Sequence, residues 1–137
     1  MKILVIFSLV LCVKSYSQRR NAFPDSDKIP DCSVINHGRF TKDDKKTLTV
    51  KFRKNKMIEI LGDRKIIIES SIKMIDKCKF ETEIKKIKTQ LTFADNFLYI
   101  GKKTKYEIVE TGKKYIVLEY SCNEDRNTCT EILDKVI

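Results

Sequence analysis

The sequence predicts an all-β chain, an antiparallel meander closing into a small barrel or a strongly curled sheet and stapled by disulfides. Three observations carry that expectation. Apolar and polar residues alternate over short runs, the period of a half-buried strand. Turn signals recur between those runs: Lys54-Asn55, Gly62-Asp63, Asp76-Lys77 and Thr111-Gly112-Lys113. Eighteen isoleucines stand against two alanines, a balance that favours strands over helices. A length of 137 residues fits one domain, and 42% hydrophobic residues are too many for a disordered chain.

Met1–Ser17 (MKILVIFSLVLCVKSYS) has a basic Lys2, an apolar run from Ile3 to Val13, and small residues at Ser15 and Ser17. This is the layout of a secretory signal peptide cleaved between Ser17 and Gln18. The run is far short of the roughly 20 residues needed to cross a bilayer. Leu11 before Cys12 is too large for a lipidation site. Gln18–Asp31 holds both prolines, several charges and no periodicity, so it reads as an irregular lead-in, loose until Cys32 fixes it. Residues 32–137 form the single β domain.

Within that domain Thr47–Arg53 (TLTVKFR) alternates strictly, with Leu48, Val50 and Phe52 on one face. Lys56–Leu61 (KMIEIL) follows, with Ile58 and Ile60 assigned inward against an outward Glu59. Lys65–Glu69, Ser71–Asp76 and Cys78–Ile87 continue the series, the last two with Ile72, Met74, Phe80, Thr82 and Ile84 sharing a face. The stretch 89–100 fits either a helical turn or a late strand. Thr104–Glu110 and Lys114–Tyr120 flank the glycine turn as a hairpin, aligning Tyr106 and Ile108 with Ile116, Leu118 and Tyr120. Cys129–Val136 closes the chain as a last strand. Seven to nine short strands in sequence suit an up-and-down meander. With Phe40, the inward residues either fill the interior or leave room for one apolar ligand. A ligand cavity would be lined by Phe52, Ile60, Phe80, Ile108 and Leu118; a filled interior is the favoured reading.

Removing Met1–Ser17 leaves four cysteines, Cys32, Cys78, Cys122 and Cys129. An even count in a small exported domain points to disulfides, with three possible pairings. Cys122 and Cys129 bracket the polar segment NEDRNT, and joining them staples one loop. That leaves Cys32 with Cys78. Zinc sites favour close CxxC pairs, which this chain lacks.

The formal charge is +9, from 28 basic and 19 acidic residues, and falls to +7 when Lys2 and Lys14 leave with the signal. Lys51, Arg53, Lys85 and Lys88 are expected on a solvated outer face. Such a face suits an envelope polyanion or protein partner better than specific nucleic acid, because 22 lysines against six arginines offer little bidentate phosphate recognition. Glu59, Glu69, Glu81, Glu83, Glu107 and Glu119 are interleaved with the bases. His37 is the one histidine, and its surroundings in sequence nominate no nucleophile or metal partner. Glu81 with Glu83, or Glu107 with Glu110, form no convincing acid–base pair, since strand residues two apart merely share a face. Asn123-Glu124-Asp125 with Asn127 lacks the spacing and glycine of a calcium loop. No catalytic residue, cofactor or metal is assigned. The expectation is a non-enzymatic exported domain that binds an apolar small molecule or an envelope partner; an envelope-acting hydrolase ranks third.

Cys32, Asn36-His37-Gly38-Arg39-Phe40, the basic turn with Arg53, Lys54, Asn55 and Glu59, and Cys78-Lys79-Phe80 together resemble a family of short exported bacterial proteins. The likeness spans about Cys32 to Ile87. It implies a lipocalin-like fold, a Cys32–Cys78 bridge and a periplasmic or secreted protein; the family's function is unknown. Its members often carry a DNA topoisomerase IV label. That activity is rejected, because strand passage needs a catalytic tyrosine in a helical cleavage domain, an acidic metal cluster and a far larger protein. The chain departs from the family in lacking a tryptophan before the second cysteine and in adding Cys122 and Cys129. Mass spectrometry of the mature protein should find Gln18 at its N-terminus; a diacylglyceryl group on Cys12 would overturn the signal-peptide reading.

Overall fold

The structure is a computed structural model that describes residues 23–42, 45–64, 66–89, 99–123 and 126–136. Eight antiparallel strands follow one another around a closed barrel: β1 Gly38–Lys42, β2 Leu48–Arg53, β3 Lys56–Leu61, β4 Ile66–Met74, β5 Lys79–Thr89, β6 Lys103–Thr111, β7 Tyr115–Cys122 and β8 Asn127–Lys135. Each pairs with the next, and β8 closes on β1 through Phe40 opposite Lys135 and Thr41 opposite Asp134. The anticipated signal peptide and most of the 89–100 stretch lie outside the described residues.

Two expected strands, Lys65–Glu69 and Ser71–Asp76, are one nine-residue strand, β4. Ser70 is the buried residue at the join and faces inward. Its partner β5 carries the irregularity: Glu69 pairs with Lys86 but Ser70 pairs with Ile84, so Lys85 is an extra residue. This bulge lets Ile84 and Ile87, three apart, face the same side. A second bulge between Ile108 and Glu110 turns Glu110 outward and Thr111 inward. At the β2–β3 turn Asn55 takes a left-handed φ of 62°, a conformation asparagine tolerates well.

One end of the barrel is closed. A one-turn 3-10 helix, Cys32–Ile35, is capped by Asp31, whose carboxylate accepts from the Ser33 amide and hydroxyl. Those bonds hold the Asp31 carboxyl below its usual range. Cys32, Val34 and Ile35 join Phe40, Val50, Phe52, Met57, Ile72, Phe80, Ile108, Ile116, Leu118 and Leu133 in a single buried cluster. Phe40, Phe52 and Phe80 meet edge to face at 5.9 and 6.0 Å, the arrangement favoured by ring quadrupoles. The Cys32–Cys78 bridge ties this cap to the start of β5, and Cys122–Cys129 clamps the β7–β8 turn.

In its described part, 23–31, the lead-in forms no helix or named strand, and it is anchored well before Cys32. Phe23 packs on Tyr115 at 4.5 Å, and its amide donates to the Glu110 carboxylate, as does the Tyr115 hydroxyl. The buried Thr111 hydroxyl donates to the Asp27 carboxylate and accepts from the Asp31 amide. The Asp27 amide donates to the Thr111 carbonyl. These partners lie 80 to 87 residues away, which is why a local reading of the segment misses them. Gly112 sits under the Tyr115 ring, where a Cβ would collide.

The two bridges close loops of very different length, with sequence separations of 46 and 7. Chain entropy assigns about 4 kcal/mol to the long loop and about 2.5 to the short one. Urea unfolding of Cys32→Ser/Cys78→Ser should therefore show a larger loss than Cys122→Ser/Cys129→Ser; the reverse order would mean that the cap contributes little.

Candidate functional site

Cross-strand partners share a face, so the register fixes which residues enter the barrel. Val50, which is 1% exposed, pairs with Glu59, and Glu59 pairs with Ile68. Glu59 therefore points inward with Met57 and Leu61. Ile58 and Ile60, expected inside, lie on the outer face, where Ile60 is in line with Thr49 and Ile67. The other anticipated cavity residues, Phe52, Phe80, Ile108 and Leu118, are inside but tightly packed toward the capped end. Ile60 was misplaced because KMIEIL offers two apolar phases, Met57/Leu61 and Ile58/Ile60, and a glutamate ordinarily decides for solvent.

The opposite end is built differently. Inward-facing Leu48, Leu61, Ile66, Ile68, Ile84 and Ile87 are only half-buried there. Among the described residues no helix crosses this end, in contrast to the Cys32–Ile35 cap. The last β5–β6 partners are Glu83 and Lys103, whereas β5 continues to Thr89 against β4. The β3–β4–β5 wall thus runs on beyond the last β5–β6 pair, and among the described residues the upper interior is a cup walled by isoleucines. The turn carrying Tyr99 and Ile100, both exposed, bonds to Ile84 on that wall through the Gly101 amide and the Lys102 carbonyl.

Glu59 is not the only acid inside. Glu131 on β8 pairs with Leu118 and so faces the same interior. Lys42, from the end of β1, meets it at 3.0 Å. Tyr106 and Tyr120, opposite each other on β6 and β7, face the same space. Phe80 stacks on Tyr106 at 5.3 Å, and Tyr106 meets Tyr120 at 5.5 Å. Glu59 has no hydrogen bond or ion pair among the described residues. Burial pushes its carboxyl up to about 7, and the neighbouring Glu131 charge adds to the shift. Burial raises the Tyr106 hydroxyl well above the usual tyrosine range, with Glu59, Tyr120 and Glu131 contributing in that order. Two carboxylates and two phenols thus face a half-apolar space, with the exposed Lys42 at its rim.

Tyr106 and Tyr120 were expected inside from their alternation. Lys42 and Glu131 were not identified. In CTEILDKV both faces carry polar residues, so alternation alone does not say that Cys129, Glu131, Leu133 and Lys135 form the inner one. Glu81 and Glu83 lie on the outer face of β5, where Glu83 pairs with Lys85 at 3.0 Å. Glu107 faces outward opposite Glu119, and Glu110 is buried under Phe23, so neither anticipated pair converges. His37 is exposed. Lys51, Arg53 and Lys88 lie on the outer face, with Lys85 exposed at the bulge. Part of the loop from Asn123 to Asn127 falls outside the described residues. A groove of about 390 Å³ crosses the outer faces of β6 to β8 between Lys79, Lys105, Glu107, Glu119, Arg126 and Thr128. It mixes both signs of charge, and the Ser121 hydroxyl beside it is buried without a hydrogen-bond partner. Among the described residues no three His, Cys, Asp or Glu side chains gather as a metal site, and no helix is long and apolar enough to cross a membrane.

No protein-family model, curated protein or solved structure matches the chain.

A raised carboxyl binds protons in the folded state that the unfolded state has released. Stability should thus be greatest below the unfolded value near 4.5 and fall as pH rises toward about 7. The shift corresponds to at most about 3 kcal/mol. Glu59→Gln should remove most of this slope and raise the unfolding free energy at pH 8 while changing little at pH 5. Urea titrations at the two pH values check this; equal effects at both would place Glu59 in solvent.

Proposed function

We propose that this chain is an exported, non-enzymatic barrel that holds one small, largely apolar ligand in the open cup. The half-exposure of inward-facing residues at that end, against full burial at the capped end, carries the reading. An eight-stranded barrel is wide enough for one small ligand when its side chains do not fill it. Leu61, Ile66, Ile68, Ile84 and Ile87 supply an apolar wall, and Tyr106 and Tyr120 offer flat faces, the lining typical of small-molecule sites. The cup reading replaces the filled interior that the sequence favoured, and it moves the site from Phe52, Phe80, Ile108 and Leu118 toward the mouth.

Export is part of the proposal. Its supports are the signal-like Met1–Ser17, the resemblance to short exported bacterial proteins, and two disulfides, which suit a non-reducing compartment. No residue is assigned a catalytic role, since among the described residues the polar groups in the cup include no nucleophile beside a base.

Nile red, an uncharged dye that brightens in apolar surroundings, is the first probe. It should bind with a stoichiometry of one and lose most of its affinity when Ile68→Trp fills the cup. Lys105→Glu, on the outer groove, should leave binding unchanged. Absence of saturable binding, or binding indifferent to Ile68→Trp in a folded protein, would remove the cup as a ligand site.

A further inference from the structure

We propose that the cup selects a cationic apolar ligand, an alkyl or aryl-alkyl amine whose ammonium pairs with Glu59 while its apolar body lies against Ile68 and Tyr106. The inference rests on the cup being a ligand site and adds the charge of the occupant.

Charge accounting inside the barrel supports it. Glu131 is matched by Lys42 at 3.0 Å, whereas Glu59 has no ion pair or hydrogen bond among the described residues. Among the described residues one carboxylate is thus in excess in a half-apolar space. A neutral ligand would leave it unpaired or protonated, and a buried polar group without a partner is unfavourable. An anionic ligand would meet Glu59 and Glu131 with, among the described residues, only Lys42 to oppose them. A cation satisfies the spare carboxylate where low polarity makes the attraction stronger than in water. Tyr106, backed by the buried Phe80, and Tyr120, tilted against it by 36°, add ring faces of the kind that attract ammonium groups.

The neighbours of Glu59 also define a pH signature. On the flanking strands it meets apolar Val50 from β2 and Ile68 from β4. Across the interior the titratable and charged groups among the described residues are Glu131 from β8, Tyr106 from β6 and Tyr120 from β7, with the exposed Lys42 of β1 reaching Glu131 from the rim. Alkyl amines, like lysine, keep their proton to about pH 10. The group that changes charge near neutrality is therefore Glu59, whose carboxyl titrates at about 7. Amine binding should weaken from pH 8 to pH 5, whereas binding of an uncharged analogue should not.

Octylamine, octanol and octanoate, which share one apolar chain, are competed against bound Nile red at pH 8 and pH 5. Octylamine should displace the dye at a concentration at least about tenfold lower than octanol at pH 8, the effect of one charge-assisted contact. That advantage should shrink at pH 5. Glu59→Gln, checked for unaltered thermal unfolding cooperativity, should abolish it while octanol binds no less tightly. Equal potency of amine and alcohol in the native protein, or octanoate as the best competitor, overturns the inference while the cup reading stands. Failure of all three to displace bound dye also overturns it. Absence of dye binding removes both. The three-ligand comparison in the native chain does not depend on any variant folding.

Discussion

Closing an eight-stranded sheet couples the register of every strand to the two beside it, and this coupling sets what lies inside the barrel. With β8 paired to β1, no strand can slip by one residue without turning its whole apolar set to solvent. Closure also leaves no free sheet edge as a template for another chain, which matters in a sequence so rich in isoleucine. The two bulges, at Lys85 and near Val109, are the places where the ladder absorbs a mismatch between sequence spacing and the period of two. Both keep apolar or small residues inward: Ile84 with Ile87, and Ile108 with Thr111.

The same closed ladder yields an asymmetric interior because the two ends meet different pieces of chain. At one end the lead-in and the Cys32–Ile35 turn fold under the barrel and are fixed by a disulfide, by Thr111 and by Glu110. Apolar side chains there reach full burial. At the other end the sheet is uneven, because β5 extends beyond its last partner on β6. Of the charged residues in the inward phase, Glu59 and Glu131 lie in the half away from the cap, with the exposed Lys42 at its rim, whereas Lys135 lies at the capped end and donates to the Gly112 carbonyl. Charged groups need residual hydration or a partner, and that half supplies both more readily than the packed one.

Alternation made most of the fold legible. TLTVKFR and TKYEIVE each read in one phase, so β2 and β6 and their inward residues followed directly, and the glycine turn before KYIVLEY placed β7 beside them. Bracketing of a polar turn identified the short bridge, and elimination left the long one. Legibility ended where a run supports two phases. KMIEIL reads equally well with Met57 and Leu61 or with Ile58 and Ile60 inside, and the neighbouring strands decide: Phe52 and Val50 are committed inward, and they oppose Met57 and Glu59. That information lies in pairing, not in the run itself. Glu131 was hidden in the same way, since its inward direction follows from Leu118 across the ladder. The lead-in contacts were hidden for another reason: Phe23 and Asp27 have no local pattern and find their partners across the whole chain.

The place where the usual rule about glutamate fails is also the place where the barrel carries a charge unmatched among the described residues, and the energies show how the fold sustains it. Holding Glu59 ionised above neutral pH costs at most about 3 kcal/mol. The long bridge contributes about 4 kcal/mol through the unfolded chain, at a site remote from the cup in the register. Net stabilities of small domains are about 5–15 kcal/mol, so neither term is negligible. A stapled, fully packed lower half can support an unfavourable upper half because cooperative unfolding sums the two. The barrel thus separates its tasks along one axis: burial and cross-linking at the capped end supply stability, and the open end retains a carboxylate whose cost falls when a cation occupies the space beside it.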